Sequence, residues 1–157
     1  MNAQPPRSPL NLPRPEGADQ PLVLVVVGSG LRAEEEDRPI AYELASRVRE
    51  HLEHLDAPEA RPVVCSDIWF LNDESLRDTP VVSIGGPGDN ALTAYLGDKI
   101  PPALAIDGSL LVQADLSFDR LQACCWGSNM KGTRAATDAF ARKYLGHFLA
   151  AAQRSWA

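Results

Sequence analysis

The sequence lacks most of the features that announce a function directly. Its longest apolar run is LVLVVV at residues 22–27, six residues where a membrane-spanning helix needs about 20. The opening stretch MNAQPPRSPLNLPRPEGADQP has neither the apolar segment nor the small-residue cleavage site of an export signal. A cytoplasmic location without membrane association is expected. Fifteen Lys and Arg stand against 21 Asp and Glu, a net charge of −6. The basic residues form no run that could track a phosphate backbone, so nucleic acid is not an expected partner.

Cysteine is equally scarce. Cys65, Cys124 and Cys125 form no C-x-x-C pair, which leaves no disulfide framework, no thiolate metal site and no expected cofactor or metal. Burial as small hydrophobes is the expected fate of all three. The histidines His51, His54 and His147 fall in helical stretches, away from the loops where catalytic residues gather, so a Ser-His or Cys-His pair is not expected.

What is present is a chain of average globular make-up, 45% hydrophobic and 23% charged over 157 residues, the size of one domain. Residues 1–21 hold six prolines and few apolar anchors, so residues 1–20 read as a tail, disordered or extended. The folded domain is expected over 21–157. LVLVVV reads as a strand buried on both faces. After GSGLRAEEED, treated as a loop, a helix is expected from Pro39 to Leu55, its apolar stripe at Ile40, Leu44, Val48 and Leu52 and its N-cap at Asp37. RPVVCSD, VVSIGG and LQACCWG read as further strands. DIWFLNDESLRD reads as an irregular or one-to-two-turn helical connection, a short helix is expected at Asn90–Leu96, and a single long helix from Thr133 to about Ala152. Asp107-Gly108 between two apolar runs marks an antiparallel hairpin at about 103–115. The alternation predicts a three-layer, Rossmann-like α/β sandwich with a mainly parallel sheet.

In such sheets ligands bind at the carboxyl ends of the strands, and three βα loops there are rich in glycine: GSG after the first strand, GGPGDN after the third, GSNMKGT after the last. Glycine lets backbone N–H groups point together at an anion, and a following helix adds its N-terminal charge. The candidate ligand residues are therefore Gly28, Ser29, Gly30, Gly85, Gly86, Gly88, Asn90, Asn129, Lys131, Gly132 and Thr133, with Lys131 or Arg134 supplying positive charge. The structural alternative is that βα turns need glycine whether or not they bind anything.

GSNMKGT departs from a P-loop because Lys131 precedes the second glycine, and GSG lacks the third glycine of the dinucleotide fingerprint. GGPGDN resembles, over those six residues, the Gly-Gly-Pro-x-x-Asn turn of some Rossmann-like bacterial and archaeal surface domains. Two residues are candidates for catalysis. Cys65 ends a strand before a helix N-terminus that could depress its pKa, and Asp67 lies beside it. The run Glu34–Asp37, with Asp67 and Asp89, could hold a divalent cation, but a solvated run feeding acid into a helix N-terminus is preferred. Trp69 and Phe70 exceed what one short connection tucks in, and could form a homodimer contact.

Three functions fit these features. The first is a small α/β module binding a small anionic, phosphate- or nucleotide-like ligand at the glycine loops. The second is a hydrolase or transferase acting on a nucleotide or phosphorylated metabolite, and the third a partner-binding domain without a ligand. The sequence leaves open whether the protein is an enzyme.

Overall fold

The computed structural model describes residues 20–57 and 59–156; the tail expected at residues 1–20 lies, except for Gln20, outside them. The strands are β1 (Leu22–Val27), β2 (Arg61–Ser66), β3 (Val81–Ile84), β4 (Pro102–Ile106), β5 (Leu110–Ala114) and β6 (Gln122–Gly127). The helices are α1 (Arg38–His54), α2 (Asp67–Asn72), α3 (Ala91–Leu96), α4 (Met130–Lys143) and α5 (Leu145–Trp156).

One six-stranded sheet runs in the order β2-β1-β3-β6-β5-β4. Its first four strands are parallel, and the β4–β5 hairpin continues it antiparallel to β6. The hairpin turns at Gly108 with φ +71°, a left-handed conformation that glycine adopts without strain.

The period-two geometry of a strand sorts β1 between two cores. Val23, Val25 and Val27 pack with Ile40, Leu44 and Val48 of α1 and with Phe140 and Phe148 of α4 and α5. Leu24 and Val26 pack on the other face with Phe70 of α2 and Leu92 and Leu96 of α3. The result is the three-layer α/β sandwich that the sequence predicts. Cys124 and Cys125 divide the same way, one to each core. Among the described residues no helix is long and apolar enough to cross a membrane.

Two local expectations are corrected. The stretch treated as a loop before α1 is helical from Leu31, and Ala33–Asp37 forms a π-helical turn running directly into α1. Leu, Arg, Ala and Glu are good helix formers, and the turn is braced by the i,i+4 pairs Arg32–Glu36 at 3.0 Å and Arg38–Glu34 at 2.7 Å. The long C-terminal helix is instead two, broken at Tyr144, whose φ of −125° departs from the helical value. The bonds from Tyr144 N to Phe140 O and from Phe148 N to Tyr144 O span the break. Gly146, with poor helix propensity, stands two residues beyond it.

Candidate functional site

The strand order places the site. From β1 the chain crosses through α1 to β2 on one side, and from β3 through α3 towards the strands on the other, so the connections leaving the paired strands β1 and β3 diverge at their carboxyl ends. A crevice at that point is where open α/β sheets hold ligands. Here it is a cleft of about 270 Å³ built from three segments. Arg32, Glu36 and Asp37 come from the π-helical turn, Gly86–Asp89 from the β3–α3 loop, and Trp126–Met130 with Thr133 from the β6–α4 connection. A shallower depression over Ser29, Gly30, Asp67 and Ala91 adjoins it across Arg32 and the Pro87–Asp89 segment.

Several residues expected to meet a ligand are instead consumed in building this edge. Asn90 is buried, and its amide nitrogen donates to Val26 O at 3.2 Å and Ile84 O at 2.9 Å. Its Oδ1 accepts from the N–H groups of Leu92 and Thr93. One side chain therefore ties β1 to β3 and caps α3. Asp67 is buried and accepts three bonds: Oδ1 from Ser29 Oγ at 2.5 Å and Ile68 N at 2.7 Å, Oδ2 from Ala91 N at 2.7 Å. It clamps the β1 loop to the starts of α2 and α3, which also accounts for Ser29.

The glycine loops turn much of their own backbone inward. Gly85 N donates to Cys125 O, Asp89 N and Asn90 N both donate to Gly86 O, and Ser128 N donates to Ser109 O. Gly127 N donates to Thr133 Oγ1, and Gly132 N to Asn129 Oδ1, which is the N-cap of α4. Gly132 packs face to face with Gly127. Gly28 permits the closest approach, since a Cβ there would lie 1.8 Å from Asp89 O. Gly30 is open, and Gly86 and Gly88 line the cleft, Gly86 beneath the ring of Trp126. Of the two cations expected to serve an anion, Lys131 is exposed outside the cleft and Arg134 is turned to Glu43 of α1.

Cys65 is 4% exposed, and burial pushes its thiol up to about 11, against a smaller downward pull from Arg38. This is the setting of a core hydrophobe, not of an activated thiolate. Cys124 and Cys125 are raised by the same cause. Phe70 joins the core, whereas Ile68, Trp69 and Leu71 of α2 are about half exposed, apart from the cleft. His51 and His147, remote from each other in sequence, line one groove between α1 and the α4–α5 break, together with Arg47, Arg142 and Lys143.

Asp37 occupies the N-cap position of α1, as the sequence predicts, but makes no capping hydrogen bond. The π-helical turn directs its side chain to the end of β3, where a Cβ on Gly85 would fall 2.5 Å from Oδ2. Gly85 has φ +106°, so position and conformation both demand glycine. Asp37 is 6% exposed, and no hydrogen bond from a described residue reaches its carboxylate. Burial raises its pKa to about 6, with Asp89 and then Glu36 adding to the rise and Arg32 opposing it. Arg32 lies at the rim, bonded to Glu36 at 3.0 Å and Asp89 at 3.3 Å.

Trp126, which the glycine-loop ligand set leaves out, also faces the cleft. Its indole forms a wall of the cleft, and Nε1 is buried without a partner among the described residues. Chemically the cleft combines one aromatic wall, one buried carboxylate, two further acids and a single arginine committed to those acids. Among the described residues no three Asp, Glu, His or Cys side chains are placed to share a metal ion. No protein-family model matches this chain, and no curated protein matches it significantly in sequence.

Proposed function

We propose that the protein is a small-ligand-binding α/β module whose site is the cleft bounded by the π-helical turn and the β3 and β6 loops. The observation that carries this reading is the convergence of those three segments on one concave site where the sheet connections diverge. π-helical turns recur at functional sites because the extra residue re-aims a side chain that regular helix would place elsewhere. A volume of about 270 Å³ is just below the 300–1,000 Å³ typical of ligand pockets, so the ligand is small.

The cleft charges revise the chemistry suggested by the glycine loops. A phosphate would meet Glu36, Asp37 and Asp89 with only Arg32 to offset them, and much of the loop backbone is already hydrogen-bonded. The arrangement favours a polar ligand that is not a bare polyanion.

The test is a thermal-shift screen of the full chain against nucleotides, phosphorylated metabolites, amines and neutral polar solutes, with hits mapped by amide NMR. A ligand at 100 times its Kd adds about 2.7 kcal/mol to stability. The expected result is a hit that moves the amides of Gly85–Asn90 and Ser128–Thr133. Hits confined to other surfaces, or a flat screen with unmoved loop amides, would overturn the reading in favour of a partner-binding domain.

A further inference from the structure

We infer that the ligand is a small organic cation, a protonated amine or an amidinium, seated on the carboxylate of Asp37. The inference rests on the cleft being a ligand site and names the ligand's class. Buried carboxylates ordinarily collect donors from their own protein, because an ionised group without them bears a large desolvation cost. Asp67, on the same sheet edge, has three donors, whereas Asp37 has none among the described residues and opens on the cleft. Its acceptor sites are left for something that enters.

The surroundings select the charge of that group. The acids near Asp37 are Glu36 on its own turn and Asp89 on the β3–α3 loop. The β6–α4 segment lining the cleft brings no titratable side chain, its members being Trp126–Met130 and Thr133. The one cation, Arg32, has 57% of its side chain exposed and is engaged by Glu36 and Asp89. The floor of the cleft is thus a region of negative potential beside an aromatic wall, suited to an ammonium or amidinium donor. Among the described residues no three metal-ligating side chains converge, which speaks for an organic cation over a bare metal ion.

Binding of this kind requires ionised Asp37, so affinity must fall when the carboxyl is protonated. The probes are agmatine, tyramine and cadaverine, with inorganic phosphate and acetamide as charge controls, titrated into the labelled full chain at pH 7.5 and pH 5. At least one amine should move the amides of Gly85, Gly86 and Asp89, and bind about tenfold more weakly at pH 5. Asp37→Asn should lose at least tenfold at pH 7.5 while keeping a dispersed spectrum. The wild-type protein at pH 5 supplies the same comparison without a substitution.

If phosphate or acetamide moves the cleft amides and no amine does, the ligand class is wrong and the site reading stands. If amines bind there with affinity indifferent to pH and to Asp37→Asn, Asp37 is not the anchor. If no probe of any charge moves the cleft, the inference and the site reading fall together.

Discussion

At the scale of single residues, Asp37 is unusual because its environment opposes the charge it carries at neutral pH. Its folded pKa, near 6, exceeds its ordinary value of 3.8. The native state therefore holds the proton more tightly than the unfolded state does. The resulting stabilisation is fully present below about pH 4 and is lost as pH rises through 6. Ionised Asp37 then costs the fold on the order of 3 kcal/mol, at about 1.4 kcal/mol for each tenfold change in proton affinity. Asp37→Asn should accordingly be more stable than wild type at pH 8, with the advantage shrinking towards zero at pH 4. Urea midpoints measured across that range decide it. A difference that does not vary with pH would show that Asp37 titrates as an ordinary surface acid.

The same residue marks a limit of reading function from sequence. Asp-Arg-Pro before an apolar helical stripe is the local pattern of an N-cap, and nothing in those letters encodes the additional residue of a π-turn. Asn90 shows the converse. It was legible as a residue with a task at the right turn, but whether its amide faces a ligand or the strand ends depends on how closely the β3–α3 loop approaches the end of β1. That approach is a tertiary quantity, permitted here by the absence of a side chain at Gly28, where a Cβ would lie 1.8 Å from Asp89 O. Cys65 was legible in its commoner role because burial is what usually becomes of cysteine.

At the scale of elements, the strands were readable wherever the apolar pattern was unbroken, as in LVLVVV, and the hairpin wherever Asp-Gly punctuated it. The helices were readable by their stripes but not by their ends. The break at Tyr144 interrupts the aromatic line Phe140, Tyr144, Phe148 without disturbing it, for the Phe140 and Phe148 rings meet at 5.8 Å across the bend. Periodicity therefore ran through a place where the backbone does not. Gly146 stands in the first turn of α5, where a Cβ would meet nothing within 4 Å, and its φ lies outside the left-handed region. Gly146→Ala should then stabilise the domain by about 0.5–1 kcal/mol, mainly by restricting the unfolded chain. A raised urea midpoint with unchanged slope is the expected result. A lowered midpoint would mean that the bend at Tyr144 depends on glycine two residues later.

At the scale of the whole molecule, charge is distributed in a way that no single loop reveals. The net charge of −6 is not spread evenly. Acids gather at the carboxyl edge of the sheet, while Arg47, His51, Arg142, Lys143 and His147 share a groove of about 610 Å³ with one acid, Glu50. Arg47 and His51 lie 10 to 14 residues along the helix from Asp37, roughly 15–20 Å at 1.5 Å per residue. Arg142 and Lys143 stand in the last turn of α4, whose dipole they complement, and with Arg47, paired to Asp138 at 3.1 Å, they leave a positive surface remote from the cleft. The glycine loops suggest an anion by their backbone donors, whereas the side-chain charges that weigh against one arrive from three separate segments and are summed in no single stretch of sequence. On the proposed reading an anion belongs at this groove instead. Inorganic pyrophosphate titrated at low ionic strength should move the amides of Arg142–His147 and leave those of Gly85–Asn90 in place, with binding that weakens steeply as salt is added. Movement of the loop amides instead would mean that the remaining backbone donors of the β3–α3 loop outweigh three carboxylates, and would return the anion to the glycine loops.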